Sequence, residues 1–311
     1  MRIAVLQGGR SAEREVSLRS GAQVASALRG RGHRVDQVDL GPDVWDVLRD
    51  GAYDCVFVAL HGRLGEDGTV QGMLEVLGLP YTGSGLLASA LCIDKARTNL
   101  LLRAEGLMVP DFTELDGDEA EELVERFGLP VVVKPVREGS TIGLTIARDV
   151  DAVATGMVQA RRYDRRVLVQ RFVEGTEITV GVLATPRVEV LPTLEITYEN
   201  LTYDYDAKYT EGRSHHIIPA RIPEQARRAA AEAAARAFRA LGCEGMARVD
   251  FIVTPDCTPW LLEVNTVPGL TELSLLPDAA KAAGVAFDEL CERLLRHGIE
   301  RRRLHVGPPP A

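Results

Sequence analysis

The chain has 311 residues, a length that predicts two or three domains. Hydrophobic residues make up 46% and charged residues 26% of it, which is typical of globular proteins and excludes a mainly disordered chain or a collagen-like repeat. The formal net charge of −9 makes the chain a poor general binder of nucleic acid, so an anionic ligand has to be met by locally placed cations or backbone N–H groups.

The apolar segments are short, as in the run from Cys55 to Leu60, and none approaches the roughly 18 residues of a membrane-spanning helix. Residues 1–6 read as a buried strand and not as a secretory signal. The five cysteines are widely spaced and form no CxxC pair, which disfavours a disulfide scaffold or a zinc site. These features predict a cytoplasmic protein with neither a membrane nor a nucleic-acid partner.

The first region alternates apolar strands with helices. Its predicted strands lie at 2–6, 35–40 and 54–60, and its predicted helices at 13–30, 42–50 and 68–78. Strands separated by helices in this way are typical of a parallel α/β sheet. We therefore expect a doubly wound parallel-sheet domain over residues 1–93.

The second region, 94–176, predicts a small α+β domain. Asp94 is placed to cap a helix that ends before Gly106. An acidic helix at 118–127, strands at 131–134, 144–147 and 167–172, and a helix at 150–162 follow. A segment with two glycines, 138–143, comes just after the strand that ends at Lys134, and it contains Gly139, Ser140 and Gly143.

The third region, 177–311, is predicted to contain β-branched strands, an Ala-rich helix and a long polar loop. The predicted elements are strands at 177–184 and 188–196, the helix at 224–241, strands at 246–253 and 260–264, and helices at 272–283 and 286–297. The loop at 198–214 has three tyrosines and one lysine within seven residues, which favours a lid over a disordered segment. The tail from residue 301 is expected to be loose.

Four polar residues near the C-terminal end form the most informative motif. Arg248 and Asp250 lie on one predicted strand, and Glu263 and Asn265 lie on the next. Because side chains alternate along a strand, each pair shares a face, and a hairpin would bring all four together. Two carboxylates and an amide oxygen suit Mg²⁺ better than zinc. The alternative interpretation is an ordinary ion-paired sheet face.

Lysine is rare in this chain. The 36 basic residues include only four lysines, at positions 95, 134, 208 and 281. Lys95 opens a helix, Lys134 ends a buried strand and Lys208 lies in the lid loop, whereas Lys281 reads as a helix-surface residue. A compact ammonium and a glycine-rich loop together favour a phosphate site. A tight turn with exposed lysines is the alternative.

Two other segments have candidate binding roles. Glu13 follows the first strand at the edge where open α/β sheets bind ligands, and its carboxylate could hold an ammonium group. An acidic residue at a helix start is also favoured by the helix dipole alone. The segment 268–274 leads into a helix, where backbone N–H groups and Ser274 could bind a carboxylate, or where Thr271 could simply cap the helix.

Other nucleotide and ligand motifs are weaker. The chain has no P-loop sequence. Residues 83–88 match G-x-G-x-x-A, but no acidic residue ends a strand about 20 residues later, so a structural turn is favoured over a nicotinamide site. His61, His215 and His216 have no ligand-type partner in the sequence, and we interpret them as core or surface residues.

Taken together, these segments resemble the D-alanine–D-alanine ligases, ATP-grasp enzymes of bacterial cell-wall synthesis. The resemblance extends from Gly8 to about Leu295. The matching segments are, in chain order, 11–17, 60–62, 65–68, 81–85, 94–95, 133–135, 137–140, 203–209, 248–250, 262–266 and 268–271. Each segment alone is a weak signal, whereas their joint order is highly specific.

The resemblance implies an ATP-grasp fold after the N-terminal domain, with a central part at 94–176 and a C-terminal part at 177–311. It implies that the chain joins two D-alanines through an acyl phosphate, with release of ADP and phosphate, for peptidoglycan precursor synthesis. It further implies ATP and two Mg²⁺ ions, with Mn²⁺ as a substitute, and a homodimer.

The resemblance also implies roles for individual residues. Asp250, Glu263 and Asn265 would bind the metal ions. Lys95, Lys134 and Lys208 would contact the phosphates, with Gly139 and Ser140 in the adjoining loop, and Glu177 would hold the ribose. Glu13, Ser140 and Tyr209 would form a hydrogen-bonded group over the site, with Glu13 on the ammonium of the first D-alanine. Arg248 and the Gly269 N–H would face the oxyanion, and Ser274 the carboxylate of the second D-alanine.

One position departs from the family pattern. Gln170 stands where the family usually has a carboxylate near the adenine amino group, although an amide oxygen can still accept that hydrogen bond. Three other functions stay open on sequence grounds: a related ligase that uses D-lactate, a nucleotide-binding regulator without turnover, and a dehydrogenase. Tyr209 favours the amino-acid product over D-lactate, as the resemblance suggests.

Overall fold

A computed structural model describes residues 1–115, 120–139, 141–185, 187–198, 214–272 and 274–306. The elements are, in chain order, β1 (Arg2–Gln7), α1 (Arg14–Gly30), β2 (Arg34–Asp39), α2 (Val44–Asp50), β3 (Cys55–Val58), α3 (Thr69–Leu77), α4 (Leu86–Ile93), α5 (Lys95–Ala104), β4 (Phe112–Leu115), α6 (Ala120–Phe127), β5 (Val131–Pro135), β6 (Thr145–Ala147), α7 (Val150–Ala160), β7 (Val167–Arg171), β8 (Thr176–Ala184), β9 (Val188–Val190), β10 (Leu194–Tyr198), β11 (Ser214–Ile217), α8 (Glu224–Ala240), β12 (Gly245–Val253), β13 (Pro259–Asn265), α9 (Leu275–Ala282) and α10 (Phe287–Val306).

The first sheet has three parallel strands in the order β2-β1-β3, which confirms the parallel arrangement predicted for this region. Its central strand is wholly apolar between Ile3 and Leu6, and these residues are completely buried. Their core also includes Leu290 and Leu294 of α10, so the last helix of the chain closes the first sheet. The ends of the sequence therefore share one hydrophobic core.

The loose tail predicted from residue 301 is wrong as far as residue 306, because α10 continues to Val306. Arg301 is only 8% exposed. Its guanidinium donates a 2.8 Å hydrogen bond to the carbonyl oxygen of Gly83 and lies 3.1 Å from a carboxylate oxygen of Glu244. These contacts fix the last turns of the helix against the body of the protein.

The second sheet has four antiparallel strands in the order β4-β7-β5-β6. One face is apolar and packs Val133 and Val169 against α6 and α7, through residues such as Leu123 and Met157. The opposite face carries Lys134. Strand β4 was missing from the prediction, since only its first residue is buried and the alternation of apolar residues is weak.

The third sheet has six strands in the order β11-β10-β8-β12-β13, with β9 also paired to β8. Its apolar face, with residues such as Val180 and Val249, packs against the alanines of α8. The predicted strand at 188–196 is in fact two strands, β9 and β10. Pro192 lies between them and has no N–H to donate to a ladder.

The predicted hairpin is confirmed, since β12 and β13 pair antiparallel with Asp250 opposite Glu263. Asp94 caps α5 as expected, because its side chain accepts a 3.0 Å hydrogen bond from the Arg97 N–H. The helix expected from residue 272 begins at Leu275, with Ser274 and not Thr271 at the N-cap. The division of the chain into domains at 93 and 176 stays a prediction.

Candidate active site

The β12–β13 hairpin gathers the candidate metal ligands on one face of the third sheet. The amide nitrogen of Asn265 lies 3.2 Å from Oδ2 of Asp250 and 3.4 Å from Oε1 of Glu263. The register shifts between Asp250 and Phe251, so a bulge follows directly after the pairing of Asp250 with Glu263. The two carboxylates and the amide predicted from the sequence are therefore neighbours.

Arg248 holds Asp250 in place. Its Nε and Nη2 atoms donate to the two carboxylate oxygens of Asp250 at 2.9 and 2.8 Å, which is a bidentate pair. Thr179 of β8 donates a further 2.6 Å hydrogen bond to Oδ1 of Asp250. Thr179 was not identified from the sequence, although it lies two residues after Glu177 on the same strand and therefore on the same face.

Lys95 links the central region to this hairpin. It is the first residue of α5 and is 6% exposed. Its ammonium donates a short hydrogen bond to the backbone carbonyl of Glu138 and lies 3.5 Å from Oε2 of Glu263. A small pocket is lined by the same residues, together with Gly139 and Asn265. Lys95 is thus placed between the glycine loop and the metal-type hairpin.

Lys134 lies at the end of β5 and is 7% exposed. Among the described residues its ammonium has no hydrogen-bond or ion-pair partner. Burial lowers the pKa of Lys134 to about 8, against the opposing field of Glu263 and with a smaller contribution from Lys95. A buried ammonium without a direct partner is costly, which suits a position that an anionic ligand neutralises.

Glu13 reaches the glycine loop from the first domain. Its carboxylate is buried, and a Cβ atom on Gly139 would lie 3.2 Å from its Oε2 atom. A Cβ atom on Gly62 would lie 3.0 Å from the same oxygen. Glycine at both positions therefore allows the backbone to approach the carboxylate. The structure brings Glu13 beside Gly139, the residue before Ser140.

His61 and Glu66 extend this polar group into the interior. His61 is 4% exposed, with Nε2 at 3.1 Å from the Ser20 hydroxyl and Nδ1 at 3.1 Å from the Val267 carbonyl oxygen. Burial lowers the pKa of His61, but the carboxylates of Glu66 and Glu13 outweigh burial and raise it overall. The interpretation of His61 as a core residue is confirmed, whereas Glu66 was not singled out from the sequence.

Gly269 and Ser274 lie together at the start of α9. The Ser274 hydroxyl would lie 2.8 Å from a Cβ atom on Gly269, and it accepts a 3.1 Å hydrogen bond from the Thr271 N–H. The Leu270 N–H points to Ser20, which also contacts His61. This segment is thereby joined to the group around Glu13.

Gln170 and Glu177 lie farther along the two sheets. Gln170 is opposite Val132 on β5, so it shares a face with Lys134, and it is 2% exposed. Glu177 is opposite Ile252 on β12, so it shares a face with Asp250. Both faces point away from the packed helices of their sheets, because the intervening residues form the cores.

Three predicted site residues, Ser140, Lys208 and Tyr209, lie outside the described residues, as does most of the expected lid at 198–214. Within the described part of the chain, no three His, Cys, Asp or Glu side chains are grouped so that they could hold a metal ion. The remaining donor set, Asp250, Glu263 and Asn265, offers hard oxygen atoms. Such a set fits Mg²⁺ or Mn²⁺ bound together with phosphates.

The G-x-G-x-x-A segment is a packing site. The carbonyl of Gly83 accepts the hydrogen bond from Arg301, and a Cβ atom on Gly245 would lie 3.3 Å from the Gly83 backbone. Ser84 exchanges hydrogen bonds with the backbone of Glu244. This turn is covered by β12 and α10, which agrees with the structural interpretation and not with a dinucleotide site.

Comparison with known proteins decides the family. The model described as "D-ala D-ala ligase C-terminus" matches residues 101–296, and the model described as "D-ala D-ala ligase N-terminus" matches residues 44–84. A D-alanine–D-alanine ligase of Desulforudis audaxviator is 50% identical over 311 residues, covering 96% of this chain and 99% of the relative. The chain belongs to the D-alanine–D-alanine ligase family.

Solved structures agree with this assignment. The D-alanine–D-alanine ligase of Bacillus anthracis superposes with a TM-score of 0.87 at 34% identity, covering 98% of this chain and 99% of that one. The same ligase complexed with ATP gives a TM-score of 0.84 at 32% identity with the same coverage. The ATP-grasp fold and the ATP-dependent ligase class predicted for this chain are thus confirmed. None of the helices in the described part of the ligase combines the length and apolar character that a membrane crossing demands.

Proposed function

We propose that this ligase joins two molecules of D-alanine into D-alanyl-D-alanine for peptidoglycan precursors, with ATP converted to ADP and phosphate. The convergence of Glu13, two buried lysines and the carboxylates of Asp250 and Glu263 carries the proposal. The carboxylate of Glu13 can bind the ammonium group of an amino acid, the two lysines can bind phosphates, and the oxygen ligands of the hairpin can bind a divalent metal ion. Together they suit a reaction between an amino acid and a polyphosphate.

ATP would be held between the second and third sheets. Lys95 and Lys134, with Gly139 beside them, would contact the phosphates, and Gln170 and Glu177 would contact the base and the ribose. Asp250, Glu263 and Asn265 would bind two Mg²⁺ ions, or Mn²⁺ in their place. A divalent ion at this hairpin would neutralise phosphate charge and orient the reacting group.

The first step would be attack of the D-alanine carboxylate on the γ-phosphate, which breaks the bond to the β,γ-bridging oxygen, releases ADP and gives an acyl phosphate. Glu13 would hold the ammonium of this first D-alanine, because its carboxylate is buried beside Gly62 and Gly139. The positive charges of Lys95 and Lys134 would stabilise the charge spread over the transferring phosphoryl group.

In the second step the amine of the second D-alanine would attack the acyl carbon. The resulting oxyanion would face the Arg248 guanidinium and the Gly269 N–H, while Ser274 would bind the carboxylate of the second substrate. A guanidinium has five N–H donors, and the bidentate pair with Asp250 uses one on Nε and one on Nη2. The other N–H groups would be the ones that face the oxyanion. Asp250 thus orients Arg248 toward the site as well as binding metal.

The remaining predictions concern organisation. We propose an N-terminal part at 1–93, a central part at 94–176 and a C-terminal part at 177–311, with 198–214 as a lid in which Lys208 and Tyr209 join Ser140 at the site. The lid would exclude water from the acyl phosphate.

Assembly and location are also proposals. A homodimer is supported by exposed apolar residues on the neighbouring helices α3 and α4, where Val76 is 77% and Leu87 70% exposed. A cytoplasmic location is supported by the five cysteines of the sequence, which are widely spaced and form no CxxC pair.

The test removes the oxyanion donor. In Arg248→Ala, D-alanyl-D-alanine formation falls by about 100-fold or more, because preorganised donors of this kind contribute at that level. Binding of Mg²⁺–ATP, measured by calorimetry, stays within tenfold of the original. Arg228→Ala, an exposed arginine on α8, is the matched control and keeps full activity. Unchanged turnover of Arg248→Ala would refute the assignment, and product formation from D-lactate in place of the second D-alanine would redirect it.

A further inference from the structure

The face of the second sheet that carries Lys134 also carries apolar residues at the neighbouring positions of β5 and β6. Val132 is two residues before Lys134 on β5 and is only partly buried. Its cross-strand neighbour on β6 is Ile146, which is 40% exposed, and its neighbour on β7 is Gln170. Directly opposed residues of an antiparallel pair share a face, so Gln170 lies beside an apolar surface that suits a planar base.

Gln170 is the polar group at this apolar surface. The residue is 2% exposed, and its Nε2 atom is buried with no hydrogen-bond partner among the described residues. A buried N–H group without an acceptor is destabilising, so a ligand that brings an acceptor to this point recovers a hydrogen bond. The same amide also has an acceptor, Oε1, on the same rotatable group.

The two ends of a side-chain amide pair with different groups at the 6-position of a purine. Adenine has a 6-amino group, which donates and therefore needs an acceptor, whereas hypoxanthine and guanine have a 6-oxo group, which accepts and therefore needs a donor. A carboxylate could meet only the 6-amino group and would repel the 6-oxo group. An amide can meet either one after rotation of its terminal group by half a turn, and its orphaned N–H is the donor that a 6-oxo group requires.

We propose that Gln170 makes the base site of this ligase permissive at the purine 6-position, so that it uses 6-oxopurine triphosphates as well as ATP. The juxtaposition that carries the proposal is a buried amide whose N–H has no partner within the described part of the chain, beside Val132 and Ile146 and on the same sheet face as Lys134. The inference rests on the proposed placement of the nucleotide between the two sheets.

The decisive measurement compares ATP with inosine triphosphate, which differs from ATP only at the 6-position and the neighbouring ring nitrogen. Equilibrium dissociation constants of the magnesium complexes are measured by calorimetry on the unmodified protein, without D-alanine. We expect inosine triphosphate to bind within about tenfold of ATP, because the amide of Gln170 can present either an acceptor or a donor to the purine 6-position. Inosine triphosphate then also supports phosphate release when D-alanine is added. Discrimination against inosine triphosphate by 100-fold or more in the unmodified protein would overturn the proposal.

The variant Gln170→Glu sharpens the result, because it removes the donor and keeps the acceptor. We expect its preference for ATP over inosine triphosphate to be at least tenfold larger than that of the unmodified protein. Gln225→Glu on the exposed surface of α8 makes the same change of charge and leaves the preference unaltered. An equal preference in Gln170→Glu and the unmodified protein would also contradict the proposal.

Different results would contradict the proposed ligase function and the proposed role of Gln170. If ATP binds and D-alanyl-D-alanine forms but inosine triphosphate is rejected, Gln170 reads adenine alone and the proposed function stands. If neither nucleotide binds to a folded protein, both the proposed function and this inference are wrong. The comparison on the unmodified protein needs no variant, so a folding defect in Gln170→Glu leaves the test intact.

Discussion

The candidate active site and the surface where α10 meets the first sheet each bury a positively charged side chain, but only the second charge has hydrogen-bond and ion-pair partners among the described residues. Arg301 has its guanidinium 4.0 Å from the centroid of the Tyr81 ring, and it donates to the Gly83 carbonyl and pairs with Glu244. Lys134, buried to a similar degree, has no direct hydrogen-bond or ion-pair partner among the described residues. A partnered buried cation supports the fold, whereas an unpartnered one costs stability, which is consistent with the proposed role of Lys134 in phosphate binding.

The largest effect is expected from Lys134→Met, which replaces the ammonium with an apolar side chain of similar length. Loss of a buried positive charge against phosphate should weaken ATP binding by about 100-fold, as measured by calorimetry. The free energy of unfolding should rise by about 2 kcal/mol at pH 7, because the folded protein no longer buries an unpaired charge. Lys281→Met, at an exposed position of α9, is the control and changes neither quantity. A less stable Lys134→Met protein would show that this lysine is structural after all.

A smaller and opposite effect is expected from Arg301→Met. This change leaves the Glu244 carboxylate and the Gly83 carbonyl without their donor, which should lower the free energy of unfolding by about 2 kcal/mol. The specific activity at 20 °C should stay within twofold, because Arg301 touches none of the site residues. Denaturant unfolding and ligase assays on the same preparation measure both quantities. Arg239→Met, an exposed position on α8, is the comparison, and equal stability of the two variants would contradict the assignment.

The mildest effect is a pH dependence of nucleotide binding. Burial lowers the pKa of Lys134 to about 8, so the free protein loses this positive charge as the pH rises through that value. The affinity for ATP should therefore fall several-fold between pH 7 and pH 9, and the fall should be absent from Lys134→Met.

The free energy of unfolding should change with pH in the opposite direction to the affinity for ATP. Between about pH 8 and the ordinary lysine pKa of 10.5, the unfolded chain binds a proton at Lys134 that the folded chain does not. This residue's contribution to the free energy of unfolding therefore rises with pH in that window. A fall of ATP affinity below pH 7, with no change above pH 8, would exclude Lys134 as the titrating group.

Local patterns allowed much of the site to be predicted. The period of two along a strand placed Arg248 and Asp250 on one face and Glu263 and Asn265 on the next, and the hairpin has that register. The cap at Asp94 follows from an equally local rule. These predictions held because the interactions join residues within one element or one turn.

Contacts between distant parts of the chain could not be derived in this way. The approach of Glu13 to Gly139 depends on how the first domain sits against the second, and no periodicity encodes it. The resemblance to the ligases grouped Glu13 with Ser140 and Tyr209, which lie outside the described residues, so that grouping stays a prediction. The end of α10 was missed for a related reason, since Arg301 looks like a surface residue until its acceptors on other elements are known.

The core that the first sheet shares with α10 cannot be completed until α10 has been synthesised. Residues around Ile3 and Leu6 leave the ribosome more than 280 residues before the apolar side chains that cover them, such as Leu290 and Leu294. At about 5–20 residues per second, the wait is on the order of ten seconds to a minute. The nascent chain therefore exposes an apolar surface until α10 has been synthesised, and transiently exposed surfaces of this kind are what chaperones protect from aggregation.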